Sequence, residues 1–169
     1  MYNFSVQAFV PKSSEIDPTW QAAYLAYYAN FDLGLPVSVL LAYAQDDWRL
    51  LRSNIISALA LFVQNEGAVS PSQPELAGFL LYQIDQEASD WCESPGDGFI
   101  RECYVAPPYR GQGLGSQLYL EAEKALIQLG VGRIYLSSDD SQAFWESLGF
   151  RFTGRYARKN GDPLLEKYV

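Results

Sequence analysis

Histidine is missing from this 169-residue chain, cysteine occurs twice, and basic side chains are few: 12 Lys and Arg stand against 20 Asp and Glu. Without histidine there can be no histidine-containing triad, no Cys–His nucleophile and no histidine-based metal centre. Cys92 and Cys103 lack zinc-like spacing and are too few for a disulfide framework. Cys103 reads as a small buried apolar strand residue and Cys92 as a loop residue. A net charge of −8 leaves no basic face for nucleic acid. The same charge is compatible with a cationic partner, although acidity also serves solubility alone. No apolar run is long enough to cross a membrane, and the start MYNFSVQAFVPKSS lacks the basic-then-apolar pattern of a signal peptide. The expectations are a protein without metal, nucleic acid or membrane, in the reducing cytoplasm.

What is present is enough for a substantial core, since 49% of the residues are apolar and aromatics are plentiful. The length predicts one domain over 1–169, with no repeat or linker to divide it. A strand is expected over Asn3–Val10, and a helix starting at Pro18 with Asp17 as its cap. In that helix Trp20, Tyr24, Tyr27, Tyr28 and Phe31 recur at helical spacing, as a core stripe does. A second helix is expected from Val37 to about Ser53, with Leu40, Leu41, Ala44, Trp48 and Leu51 on one side. Strands over Ile56–Gln64 and Leu76–Ile84 flank a loop at Asn65–Glu75. A polar loop, Asp85–Gly98, leads to the strand FIRECYV, Phe99–Val105. A long helix ends at Gly130, a strand covers Arg133–Ser138, and a short helix within Asp140–Phe150 closes at Gly149. FRFTGRYAR and PLLEKYV form a terminal hairpin through Lys159–Asp162.

The stretch YRGQGLG, Tyr109–Gly115, sits between a strand and a helix and is stripped of side chains at Gly111, Gly113 and Gly115. Helix-start amides lack intrahelical partners and their dipole favours anions, so strand, glycine turn and helix together can hold a phosphate. Arg110 can add a guanidinium. The stretch is neither a Walker A loop, for want of a lysine, nor G-x-G-x-x-G, because it reads G-x-G-x-G. A tight strand-to-helix turn that binds nothing is the competing explanation. The helix face of Leu114, Leu118, Ala122, Ala125, Leu126 and Leu129 fixes where the turn ends.

YVAPPYRGQGLGSQLYLEAEKAL resembles the acyl-CoA-binding motif of the GNAT superfamily, the CoA-dependent N-acyltransferases: Arg/Gln-x-x-Gly-x-Gly/Ala after a strand ending in an aromatic–Val pair, here Tyr104–Val105. IYLSSDDSQAFWESLGF is similar to the next strand and short helix of that family, with its Leu-Gly-Phe closure, and RYARKNGDPLLEKYV to its terminal hairpin. The likeness covers about Phe99–Val169; the N-terminal half agrees in element order alone. It implies an α/β (α+β) fold: a mixed, mostly antiparallel central sheet of about six to seven strands, flanked by helices and splayed between two central strands. It implies acetyl-CoA as co-substrate and an amine acceptor; the sequence leaves both a monomer and a homodimer open. By the resemblance, Arg110, Gly111, Gln112, Gly113, Leu114, Gly115 and Ser116 would hold the CoA pyrophosphate. Cys103, Tyr104 and Val105 would pair with the pantetheine arm, and the Val105 amide would polarise the thioester carbonyl.

The implied reaction is attack of a neutral amine on the thioester, helped by a base. Glu102 is the candidate, since family members often carry an acid here as Glu-x-aromatic-Val. A solvent-facing or salt-bridged strand carboxylate is the alternative, and Arg101 fits a structural ion pair. Strand alternation sends Glu102 and Tyr104 to one face, Arg101 and Cys103 to the other. Where the family commonly has a tyrosine acid, this chain has Trp145, which cannot donate a proton at neutral pH and reads as a packing residue. Tyr104, Tyr135, Tyr156 and water remain as replacements, and a non-catalytic acyl-CoA-binding module is the rival function. The acceptor site would come from Trp20–Ser53 and Asp85–Gly98, where Tyr24, Tyr27, Tyr28, Asp32, Asp46, Asp47, Glu87, Asp90 and Glu93 could favour a cation or could simply be core aromatics and a solvated surface.

Overall fold

The computed structural model describes residues 2–31, 34–65 and 74–169. Asp32 and most of the loop expected at Asn65–Glu75 lie outside the described residues. The elements run β1 (Tyr2–Phe9), α1 (Pro18–Tyr28), α2 (Val37–Arg52), β2 (Ser57–Asn65), β3 (Glu75–Ile84), β4 (Gly98–Val105), α3 (Leu114–Gln128), β5 (Arg133–Ser137), α4 (Gln142–Ser147), β6 (Arg151–Tyr156) and β7 (Pro163–Tyr168). The strands form one seven-stranded sheet in the order β1-β2-β3-β4-β5-β7-β6. Strands β4 and β5 are parallel; β1–β2, β5–β7 and β6–β7 are antiparallel. The parallel register covers Gly98↔Ile134 and Phe99↔Tyr135, and β4 then continues to Val105 without a β5 partner. This is the mixed sheet with a splayed central pair that the sequence leads one to expect.

Contacts gather the chain into two compact units, Met1–Leu81 with Glu102–Glu121, and Tyr82–Arg101 with Ala122–Val169. In the first, α1 begins where Asp17 accepts from the amides of Thr19 (2.8 Å) and Trp20 (3.2 Å), so two of the four open N–H groups are satisfied by one carboxylate. Helix α1 then buries Trp20 and Tyr24 against Phe79 of β3 and Trp48 of α2. Asp47 lies on the same buried face as Ala44, Trp48 and Leu51 and is 6% exposed.

In the second unit, Phe99 stacks on Tyr135 over Leu164 and Ala157. On α3 the expected apolar face is buried at Leu118, Ala122 and Leu126, but Leu129 is exposed. The reason is local: Gly130, at φ +84°, turns the chain out, with Gly130 N–H donating to Ile127 and Val131 N–H returning to Leu126. Leu129 therefore sits past the last buried turn. The terminal hairpin closes through 157–162, longer than Lys159–Asp162, because Ala157 N–H donates to Asp162 and Gly161 N–H to Ala157.

The loop after β3 is organised by Asp85, which is 1% exposed. Its carboxylate accepts from the amides of Gln86, Glu93 and Ser94, each at 3.0 Å, and from the Tyr135 hydroxyl at 2.6 Å. Burial alone would raise its pKa, but hydrogen bonds from the Tyr135 hydroxyl, the Ser94 amide, the Cys92 thiol and the Glu93 amide outweigh burial and hold it below the usual carboxylate value. A carboxylate with a lower pKa in the folded state binds fewer protons folded than unfolded. Its contribution is complete above the unfolded value near about pH 4 and fades as the pH falls through the folded value. Asp85→Asn is therefore expected to lower stability by about 2 kcal/mol at neutral pH, because an amide cannot accept at both ends. The gap between the two proteins should close below about pH 3. Urea midpoints from pH 7 to 2 measure both effects; a gap that persists at low pH would show that Asp85 contributes by packing instead.

Candidate functional site

Beyond Val105 the chain makes a 3₁₀ turn over Pro107–Tyr109 and enters α3 at Leu114. Gly111 and Gly113 take φ of +75° and +76°, the left-handed region where any Cβ is strained. A Cβ built on either would meet nothing within 4 Å, so the space beside this turn is open. Among the described residues, no backbone carbonyl accepts from the amides of Gly111 through Ser116, and the first such bond runs from Gln117 N–H to Gly113, 3.1 Å. Leu114, 3% exposed, pins the helix start from below. Among the described residues the amides of Gly111, Gln112, Gly113, Leu114, Gly115 and Ser116 thus have no backbone acceptor and lie at a turn with open space beside Gly111 and Gly113, which fits an anionic group such as a pyrophosphate.

Arg110 is placed differently from a free phosphate ligand. Its Nε donates to the Val105 carbonyl at 2.7 Å and its Nη2 to Asn30 Oδ1 at 3.1 Å, with the guanidinium over the Tyr104 ring at 5.9 Å. The side chain therefore ties the glycine turn to the end of β4 and to the end of α1. At that end of β4, Ala106 N–H donates to Ala77 of β3 at 2.8 Å. Alternation along an extended strand turns the Val105 N–H to the opposite edge, away from β3. By the same alternation Cys103 and Val105 turn backbone groups to that edge, while the carbonyl of Tyr104 between them faces Gly78 of β3.

Glu102 is partly buried and accepts through Oε2 from the Tyr27 hydroxyl of α1. Tyr104 shares that face: its ring meets Tyr27 at 5.8 Å and Phe79 at 5.7 Å. The Tyr24 hydroxyl, one turn earlier on α1, donates to Asp47 Oδ2. Burial first, and then the Glu102 charge, push Tyr27 well above its ordinary pKa; burial and then Asp47 do the same for Tyr24. Both hydroxyls stay protonated donors. The Cys103 thiol, on the other face, is pushed up to about 12, chiefly by desolvation and then by Glu102. It is partly exposed at its surface, unlike the enclosed residue expected, but at neutral pH it is not a thiolate nucleophile.

The other candidates divide. Asp46 pairs with Arg49, Asp90 with Arg101 and Lys159, and Glu93 with Arg158. These carboxylates are held by cations of the chain itself, and Arg101 is the ion-pair partner its position suggests. Trp145 is buried against Phe144 and Phe150, a packing residue as expected. Tyr135 is committed to Asp85; burial first, and then that hydrogen bond, raise its pKa far above the ordinary value, so it is no acid for this reaction. Tyr156 is exposed on β6. Tyr104 alone of the three tyrosines stands beside Glu102. Tyr27 as the partner of Glu102 was missed in the sequence, and no local signal pairs the two; Asp47 had a signal, a carboxylate inside the apolar stripe of α2.

The chain matches the family model described as "Acetyltransferase (GNAT) family" over residues 21–150. No curated protein matches it in sequence. Among solved structures it is similar to the PaiA N-acetyltransferase of Thermoplasma acidophilum in complex with coenzyme A, at 18% identity and TM-score 0.67, covering 99% of both chains. It is similar to the GNAT family N-acetyltransferase YhbS of Escherichia coli in complex with CoA, at 16% identity and TM-score 0.68, covering 99% of this chain and 82% of that one. An acetyltransferase of Thermus thermophilus gives 19% identity and TM-score 0.66, with 98% and 97% covered. At such identities these likenesses carry the fold.

Proposed function

Because the chain belongs to the GNAT acetyltransferase family, and is thus an acyl-CoA-dependent acetyltransferase, we propose that it transfers an acetyl group from acetyl-CoA to a primary amine of a small molecule or protein by direct attack on the thioester. The observation that carries this reading is the row of open amides at Gly111–Ser116, one short turn from the strand that bears Glu102. Amides 111–116 would hold the pyrophosphate, and the backbone of Cys103–Val105 the pantetheine arm. Acetyl-CoA supplies an activated acyl group on a thiol that leaves readily, since a thiol pKa of about 8.5 makes an acid optional. The absence of tyrosine at Trp145 is then no obstacle to turnover. The Val105 N–H stabilises charge on the carbonyl oxygen from a fixed direction.

The amine must lose a proton, and we assign Glu102, on the strand beside the proposed thioester, to take it. A lysine-like amine, with a pKa of about 10.4, is neutral roughly once in a thousand molecules near pH 7, whereas an α-amine at about 7.7–8.0 is far closer to neutral. Tyr27, Tyr104 and the Glu102 carboxylate give the acceptor an aromatic and acidic approach suited to a cation. We take residues 1–169 as one catalytic domain, because β3, β4 and α3 each run through both units and the family match spans them.

The test is release of free thiol from acetyl-CoA in the presence of primary amines, alcohols or water. Turnover with amines alone is the expected result. Coenzyme A binding with no amine-dependent thiol release would instead favour a non-catalytic acyl-CoA-binding module.

A further inference from the structure

We propose that Tyr27 is the positioning residue for Glu102: its hydroxyl pins one carboxylate oxygen and so fixes the direction from which the carboxylate meets the amine proton. This rests on the reading of Glu102 as the base and extends it. Tyr27 OH donates to Glu102 Oε2. A carboxylate has about four lone-pair sites on its two oxygens, so one donor at Oε2 orients the group without exhausting its capacity to accept. The tyrosine ring cannot swing away. It packs on Phe31 at 4.9 Å, Tyr28 at 5.0 Å, Phe79 at 5.7 Å and Tyr104 at 5.8 Å, which fixes it from α1, β3 and β4 together.

A flexible glutamate on a strand can point several ways, and a base that points away contributes little. The hydrogen bond selects one rotamer. A hydrogen bond donated to a carboxylate favours its charged form, the form that accepts a proton, so removal of the Tyr27 hydroxyl is expected to be read in the pH profile. The other titratable or charged groups around it are Tyr24 and Tyr28 of α1, Asp47 of α2, Cys103 of β4 and Arg110 of the glycine turn. Tyr24 donates to Asp47, Arg110 donates to Val105 and Asn30, and Cys103 is a neutral thiol, while Tyr27 donates to Glu102 Oε2.

The experiment compares the native enzyme, Tyr27→Phe and Glu102→Gln by the pH profile of kcat/KM for an accepted amine, with KM for acetyl-CoA and coenzyme A affinity by calorimetry. Phenylalanine keeps every ring contact, and unchanged coenzyme A affinity verifies that the variant is folded. The expected result for Tyr27→Phe is an acid limb moved about one unit to higher pH and kcat down about tenfold, with KM for acetyl-CoA unchanged. Glu102→Gln should lose about a hundredfold. If Glu102→Gln loses this much but the acid limb of Tyr27→Phe stays in place, the positioning role is wrong and the base assignment stands. If Glu102→Gln keeps its rate, Glu102 is not the base, and Tyr27 has no base to position.

Discussion

Gly113→Val is expected to weaken coenzyme A binding about a thousandfold while leaving the fold in place. The size follows from the donors. The turn owes its shape to positive φ at Gly111 and Gly113, and that shape leaves the amides of 111–116 without a backbone acceptor among the described residues. A β-branched residue at φ +76° is strained by about 1–2 kcal/mol and drives the turn toward another conformation. Hydrogen bonds to a charged ligand are worth about 1.5–3 kcal/mol each, so misdirecting two of them removes about 4 kcal/mol, or three decades of affinity. The new side chain also enters the open space in which a ligand would lie. Because nothing of the protein stands within 4 Å of that Cβ, the folded state suffers only backbone strain. For a chain of this length that is a fall in Tm of roughly 2–8 °C. Titration calorimetry and thermal melts of the two proteins separate the quantities. Native-like affinity in Gly113→Val would remove the pyrophosphate from this turn.

That prediction could be framed on the residues alone, and much else was legible in the same way. Elements of short range leave short-range marks. Asp17 before Pro18 marks the start of α1, Gly130 marks the end of α3, and apolar stretches mark β2, β3 and β4. The glycine turn was legible because its conformational demand falls on closely spaced positions. The contents of the site were less so. Tyr27 and Glu102 are 75 residues apart, and each alone has an ordinary explanation, a core aromatic and a strand carboxylate. Only the packing of α1 on β4 turns them into a pair. Arg110 shows the same limit: its type suggested a phosphate ligand, but a planar cation is equally suited to a strand-end carbonyl and an asparagine amide oxygen. Leu129 had the right period for the buried face and the wrong place in the helix, one residue before the chain turns away. Periodicity describes an ideal helix and not where its neighbours stop.

Gly78→Ala is expected to cost about 2 kcal/mol of stability and about a hundredfold in turnover, with a smaller loss, about tenfold, of coenzyme A affinity. Gly78 is buried in the middle of β3 and has no positive φ, so its role is not conformational freedom. It is close approach. A Cβ there would stand well inside contact distance of the Tyr104 carbonyl oxygen, with Val105 Cα at 3.2 Å and Tyr104 C at 3.3 Å. These are backbone atoms of β4 and cannot rotate aside as a side chain would. Overpacking of this kind costs about 1–3 kcal/mol, and the smaller entropy of the unfolded alanine chain returns about half of one. The strand has to yield at Tyr104 and Val105, the two residues that carry the edge amide and stand next to Glu102. A displacement approaching 1 Å at a reacting centre is worth about two decades of rate. The amides at 111–116 lie beyond the Pro107–Tyr109 turn, so the pyrophosphate contacts are kept while those of the pantetheine arm along β4 weaken and the chemistry fails. Urea midpoints, acetyl transfer rates and coenzyme A titrations on one preparation test the triad of effects. Undiminished turnover in a protein destabilised as expected would mean that the end of β4 holds no reacting group, and would move the proposed chemistry away from Val105 and Glu102 together.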